Sequence, residues 1–478
     1  MEIISWVWMS GATLLAWYFV LNTLGRRLNE WYYDFKLGDK HRLLPPGDMG
    51  WPLLDNTWHY FKHPHLFMDN LLSKYGGNGM YKTHLFMKPS ILVCTLEDSR
   101  RVLSDDKNFR LAYPETAITV VKTILYEVSN EDHKRYNALA MFLERIEDIV
   151  VNSLQVMADN SMQQPIEVFK ETKSISMRVI LHIFMGSYNE KIINQVEHLF
   201  GHINDALFSW PIYLPGFSYY NALQNRKKVQ KIVKSVVEDR KTMLKNGEML
   251  SEKKDLVDVL LELEDVNGRK LKGEDIVDLL ILFLIAGHLS TATVMMWAMI
   301  YLSNNPLAFK KAKEEQEEII KSRPPSQQYL SIEEIKQMVY LTKVINEVLR
   351  VSDFAIPLSR EATTDALPKR YIIPKGWRAV VWQKACHMSS EYFKNPEEFD
   401  PSRWDDKNNT NGGAFFPFGV GTRICPGRDL TKIEMLIFLH HFVRNYKFEQ
   451  INPESPVSYP ITVPKDNCLA KVTKVSTE

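Results

Sequence analysis

A chain of 478 residues, 45% apolar and 24% charged, has enough apolar content for a substantial core and shows no fixed-period repeat of the solenoid kind. Its 59 basic and 58 acidic residues leave a net charge of +1, so no overall field argues for nucleic acid. Four cysteines, at 94, 386, 425 and 468, are too few and too scattered for a disulfide framework or a zinc site.

Ile3 to Leu24 is apolar and free of charge, about the ~20 residues that a bilayer core requires. Met1-Glu2 gives no basic lead-in, which argues against a cleaved signal peptide. The cysteine economy of the rest suits a reducing compartment. Residues 1–25 are therefore expected to be a membrane anchor. Arg26, Arg27, Lys36, Lys40 and Arg42 follow it, and basic residues stay on the cytosolic side of such spans. Pro45, Pro46 and Pro52 remove backbone donors and restrict their neighbours, so 26–52 reads as a basic, proline-rich and stiff hinge. Lys82 to Thr95 alternates like strand, and helical periodicity dominates from about 140 to 350. Tyr371 to Trp382, rich in β-formers around Pro374-Lys375-Gly376, predicts a hairpin. Ile276 to Leu302 is long and apolar enough to raise a second span. Asp278, His288, Ser290 and Thr291 within it would be expensive in lipid, and a helix apolar nearly all round fits the centre of a soluble core.

Phe418-Gly419-Val420-Gly421-Thr422-Arg423-Ile424-Cys425-Pro426-Gly427 sets one cysteine in a glycine-rich turn just ahead of a helical pattern, Asp429 to Val443. Amides at that helix start would stabilise a Cys425 thiolate. Gly421 and Gly427, lacking Cβ, would let the backbone pass close under a flat macrocycle. A thiolate on haem iron donates electron density and favours O–O cleavage; the plain alternative is a buried structural cysteine. Glu347 and Arg350, three apart in the apolar-periodic Tyr340 to Val351, project from one helix face. Alone, such a pair is usually a weak surface ion pair.

With Phe399-Asp400-Pro401-Ser402-Arg403-Trp404 standing between them, these motifs resemble the signature of the cytochrome P450 superfamily. The resemblance implies a mainly α fold with a small β-rich region, one N-terminal transmembrane helix and a catalytic domain over 53–478. It implies haem b, with Cys425 as the iron ligand and Phe418, Gly421, Arg423 and Gly427 around it. Glu347, Arg350 and Arg403 would form the buried triad of the haem-side core. Ala286 and Gly287 would lie on the distal helix beside the iron. His133, Arg360 and Arg423 would hold the propionates, although the family often has Trp-x-x-x-Arg where this chain has His133 and Asn137. An NADPH-cytochrome P450 reductase would supply electrons, and Lys134, Arg135, Arg428 and Lys432 could face it. The expected location is the endoplasmic reticulum membrane, single-pass, with the catalytic domain cytosolic.

Where the family usually has an acid followed by Thr, this chain has Leu289 and Ser290. Leu289 carries no proton, while the Ser290 and Thr291 hydroxyls can order water. Those two are the catalytic candidates. His288 as a distal iron ligand is a further possibility. Ala286-Gly287-His288, Ala312-Lys313 with Glu317 to Pro325, Pro374-Lys375-Gly376-Trp377 and Asp466-Asn467-Cys468-Leu469-Ala470 are similar to the plant ent-kaurenoic acid oxidase group and its triterpene-modifying relatives. The activity implied is oxidation of C–H bonds in a bulky terpenoid of plant specialised metabolism. Pocket walls by family position are Ile118, Val120, Val121, Phe208, Leu282, Ala286, Ile356 and Ile461. Loss of the acid leaves open a haem-thiolate isomerase or dehydratase that works without dioxygen. A membrane haem protein without turnover is the third reading.

Overall fold

The computed structural model describes residues 2–51, 55–112, 142–186, 190–204, 206, 209–247, 255–263, 270–352, 358–368, 370–405, 413–459 and 461–475. Its helices include α1 (Glu2–Leu37), α2 (Asp55–Lys62), α3 (Pro64–Tyr75), α4 (Leu96–Ser104), α5 (Leu143–Gln163), α6 (Val168–Met185), α7 (Glu190–Asn204), α8 (Ser218–Lys245), α9 (Leu256–Glu262), α10 (Gly273–Asn304), α11 (Pro306–Lys321), α12 (Ile332–Gln337), α13 (Val339–Val351) and α14 (Arg428–Asn445). Its strands include β1 (Met80–Leu85), β2 (Lys88–Val93), β3 (Phe109–Leu111), β4 (Ile166–Glu167), β5 (Leu358–Ala362), β6 (Arg378–Val381), β7 (Tyr446–Gln450) and β8 (Leu469–Lys474). Helix outweighs strand, as expected. Two compact units divide the chain: Met1–Ala112 with Pro357–Cys386 and Gly419–Thr422, and Tyr113–Ile356 with His387–Phe418 and Arg423–Glu478.

The first unit is built on a five-stranded sheet ordered β1-β2-β6-β5-β3. The alternation over 82–95 forms the β1–β2 hairpin, with Met80 opposite Val93 and Leu85 opposite Lys88. Phe86 and Met87 turn it at φ of 53° and 58°, the left-handed values of a tight hairpin turn. The hairpin expected over 371–382 is corrected. Its turn is present, since Trp377 N–H donates to Pro374 O and Gly376 has φ 80°. The strand that follows, β6, instead pairs parallel to β2 and antiparallel to β5. Arg378–Val381 is buried at every position, which suits an interior strand.

Helix α1 runs unbroken past residue 25 into the basic stretch. Trp17, Val20, Leu24, Leu28, Trp31 and Phe35 are all exposed on it, and their spacing of three and four puts them in one stripe. Part of the proline-rich segment is tied to the first sheet. Lys82 N–H donates to Pro46 O and Asp48 N–H to Lys82 O, so 46–48 lies along β1. Asn29 donates to the Met49 and Gly50 carbonyls at 3.0 and 3.1 Å, and Lys82 pairs with Glu30 at 2.7 Å.

The second unit carries one large apolar core, to which α5, α6, α7, α8, α10, α11, α13 and α14 all contribute; a small sheet, β4-β8-β7, lies in the same unit. The apolar run 276–302 is α10, long and apolar enough to cross a bilayer but buried in this core. Polar side chains survive there because each is partnered. Asp278, for example, accepts from Arg226 at 2.8 Å with both side chains buried.

Candidate active site

Cys425 is half-buried and forms no disulfide. Its N–H donates to Phe418 O at 2.9 Å, closing the loop into a tight reversal. Gly427 caps α14, so that helix starts just after the cysteine, and Arg428 N–H donates to Cys425 O at 3.4 Å. A Cβ on Gly427 would meet the Cys425 sulfur at 3.9 Å. Gly421 has a backbone reason of its own to be glycine: it has φ +82°, and a Cβ there would lie 2.9 Å from Leu103 O and 3.0 Å from the Ser104 Cα. The Lys432 ammonium stands 5.9 Å from the Phe418 ring centroid, and burial lowers its pKa.

On α10, one face of the central turns forms a strip less buried than its surroundings, while Leu289, off that face, and Trp297, further along the helix, are partly buried against the core. Ala286 is exposed and Phe283, Gly287 and Ser290 are half-exposed, at positions i, i+3, i+4 and i+7 of one face. Ser290 Oγ donates back to Ala286 O at 3.1 Å, so the hydroxyl oxygen remains an acceptor on that strip. Thr291 is turned away. It is 2% exposed, donates to Gly287 O at 2.9 Å and meets Thr431 Oγ1 of α14 at 3.3 Å. The two hydroxyls thus separate, one on the open strip and one tying α10 to α14. Leu289 packs against the apolar core. The space above Gly287 is taken by protein, since a Cβ there would come 2.8 Å from Ile180 of α6.

His288 cannot serve as an iron ligand in this arrangement. Nδ1 lies 2.5 Å from Leu284 O and Nε2 lies 2.8 Å from the Asn204 side-chain nitrogen, so both ring nitrogens are engaged. Burial pushes its pKa down to about 4, which leaves it neutral.

Glu347 and Arg350 are fully buried rather than on the surface. Glu347 accepts from Arg350 at 2.8 and 3.0 Å, from Arg403 at 2.8 Å, and from Asp400 N–H and Trp404 Nε1 at 3.0 Å each. Arg350 also donates to the carbonyls of His387, Pro396 and Glu398 at 3.0, 2.7 and 3.1 Å. Every charge in the triad is paired, the condition under which buried ions persist.

Of the remaining candidates, Arg360 is buried on β5 and Arg423 is half-buried. Leu282 is buried in the core and Ile461 packs against it. His133, Ile118, Val120, Val121, Phe208, Ile356, Lys134 and Arg135 lie outside the described residues. A half-buried thiol before a helix start, with an open strip on a helix bonded to that same helix, fits a thiolate-held haem. No cluster of three metal-binding side chains occurs among the described residues.

Sequence reading missed Thr431, Asn204 and Glu434, whose importance comes from partners far away in the chain. Burial pushes the Glu434 carboxyl up to about 8, with Ser176 pulling it back in part. Between its ordinary pKa near ~4.3 and that value the native state keeps a proton that the unfolded chain releases, so stability falls as pH rises. Glu434→Gln is expected to flatten this decline, which thermal melts from about pH 5 to about pH 8 would register. An unchanged slope would show the carboxyl to be ionised in the folded protein.

A family model described as Cytochrome P450 matches residues 45–469. Beta-amyrin 11-oxidase of Glycyrrhiza uralensis is 51% identical, over 99% of this chain and 99% of that protein. A 7,8-epoxymelianol synthase of Citrus sinensis is 43% identical over 98% and 99%. Ent-kaurenoic acid oxidase 2 of Arabidopsis thaliana is 39% identical over 95% and 96%. The solved structure of retinoic acid bound cyanobacterial CYP120A1 shares the fold, with a TM-score of 0.74 at 23% identity over 90% of this chain and 99% of that one.

Proposed function

This chain belongs to the cytochrome P450 family and is a haem-thiolate monooxygenase, and on that footing we propose that it oxidises a C–H bond of a pentacyclic triterpene. The observation that carries the substrate class is the end-to-end similarity to beta-amyrin 11-oxidase. Relatives named as oxidases favour oxygenation over rearrangement without dioxygen.

Haem b, when bound, supplies dioxygen activation at iron, with electrons from NADPH arriving through a reductase. In this proposal Cys425 holds the iron, kept anionic by the α14 amides. Ser290 orders water on the open strip of α10. Leu289 delivers no proton, so protons reach the site through water at Ser290 in place of a carboxyl relay. Glu347, Arg350 and Arg403 hold the core behind the ligand loop. Phe418 flanks the ligand, and His133, Arg360 and Arg423 are assigned to the propionates on the strength of the resemblance. The partner is an NADPH-cytochrome P450 reductase. Residues 1–25 anchor the protein in the endoplasmic reticulum membrane, 26–52 join the anchor to the catalytic part at 53–478, and that part faces the cytosol. The charge-free Ile3 to Leu24 run and the exposed apolar stripe of α1 support this placement.

Microsomes containing the chain and a plant reductase, fed β-amyrin or ent-kaurenoic acid under labelled dioxygen, provide the test. Labelled oxygen in a β-amyrin product, formed only with NADPH, is the expected result. A product of unchanged mass formed without NADPH would sink the proposal and restore the isomerase reading.

A further inference from the structure

Resting on the membrane placement above, we propose that a cavity beside the end of the α1 anchor segment binds the phosphate of an anionic phospholipid headgroup. The cavity has a volume of about 240 Å³ and lies within the first unit, where α1, α2, α3 and Asp48 meet. Pockets for drug-sized ligands run to about 300–1,000 Å³, so a terpenoid skeleton is too large for it, whereas a headgroup fits. Its charged and titratable walls are Arg26 of α1, Asp48, His59 of α2, His63 just before α3 and Lys74 in the last turn of α3. One acid faces two permanent cations. Asp48 Oδ2 accepts from Arg26 at 3.1 Å and lies 3.8 Å from the Lys74 ammonium. That carboxylate balances one positive charge and leaves the other. The surplus is on the Lys74 side, because its side chain is 63% exposed against 36% for Arg26 and stands beyond hydrogen-bond length from Asp48. The two imidazoles add N–H donors around the same space.

The depth of the cavity follows from Arg26, which is both one of its walls and the first charged residue after the charge-free Ile3 to Leu24 run on one unbroken helix. A helix that buries that run in hydrocarbon sets residue 26 among the headgroups. A second marker stands at the same height. A Cβ on Gly25 would run into the Trp51 indole, so that ring lies directly against α1 one residue before Arg26, and it is partly exposed. Tryptophan is enriched where membrane meets water. Leu66, which lines the cavity, and Trp58, next to His59 on α2, are exposed as well. A basic cavity with apolar side chains at its edge suits an anionic headgroup with acyl chains attached. A soluble phosphate ion presents the same oxygens and leaves those apolar side chains in water, so the lipid is the source assigned.

Full-length, haem-loaded protein in phosphatidylcholine nanodiscs that carry a minor share of phosphatidylinositol provides the test, with native mass spectrometry counting the lipids that stay bound on release. The wild type is expected to retain phosphatidylinositol about 10-fold above its share of the bilayer. Lys74→Gln should lower that enrichment about 5-fold, the effect of one cation at a lipid surface. Arg27→Gln removes the same charge at the same depth from a residue that does not line the cavity, and its enrichment should stay within about 2-fold of wild type. Inorganic phosphate in excess should leave the lipid in place. The reduced carbon monoxide spectrum reports whether each variant is intact. An enrichment unchanged in Lys74→Gln, or equally reduced in Arg27→Gln, overturns the proposal. Displacement by inorganic phosphate overturns it too, by making the cavity a site for the soluble ion. Flotation separates the premise from the proposal. Protein that floats with phosphatidylcholine vesicles but retains no excess phosphatidylinositol overturns the proposal alone, whereas protein that floats neither with these nor with phosphatidylinositol-containing vesicles overturns the membrane placement together with it.

Discussion

Cys425→Ala is expected to yield a folded protein that has lost the thiolate-specific absorption of its reduced carbon monoxide complex and, with it, all oxygenation of substrate to background. The fold should survive because the loop is closed by backbone: Cys425 N–H to Phe418 O, and Thr431 N–H to Gly427 O, both 2.9 Å. Neither bond needs the sulfur. The chemistry should not survive, since no other side chain in this loop can donate as a thiolate does. Cys425→His separates ligation from thiolate character, as imidazole can hold iron without supplying the same push. Retention of the thiolate band in Cys425→Ala would remove this residue from the site altogether.

Glu347→Ala should be the most damaging change away from that loop. It strands the Arg350 and Arg403 guanidinium groups, the first at zero exposure, and removes the acceptor for Asp400 N–H and Trp404 Nε1. Breaking a buried ion pair by deleting one partner costs about 3–5 kcal/mol. Against a net stability of about 5–15 kcal/mol, most of the folded population is at risk. Glu347→Gln keeps the shape and some acceptor capacity, so its melting temperature should fall between the two. Haem content measured on the same samples should track the melting order. A melting temperature for Glu347→Ala within a degree or so of wild type would show that the network contributes little.

The ligand loop and the central helix were legible because their information is local. A cysteine among glycines before a helical period, and a long apolar run broken by a few polar residues, can each be seen in one window of sequence. What makes those polar residues tolerable was not legible. Asp278 depends on Arg226 and His288 on Asn204, each from a different helix. The same holds for the split between Ser290 and Thr291. Adjacent residues on a helix point about 100° apart, and only the position of Thr431 reveals which of the two turns inward. Strand β6 was recognised as strand but given the wrong neighbours, because parallel pairing with β2 joins residues nearly three hundred positions apart. Gly421 and Gly427 were read as one device. Only the backbone of Leu103 and Ser104 distinguishes the first of them.

The stitching of α1 to the first sheet has a mechanical consequence. One uninterrupted helix spans Glu2–Leu37, its side chains at 29 and 30 reach the 49–50 backbone and Lys82, and the 46–48 segment continues the ladder of β1. A tilt imposed on the N-terminal half of that rod therefore arrives at the sheet as torque, with no slack segment to absorb it. In the membrane placement proposed above, bilayer thickness, which sets how steeply such a rod leans, would be a variable that the sheet registers directly.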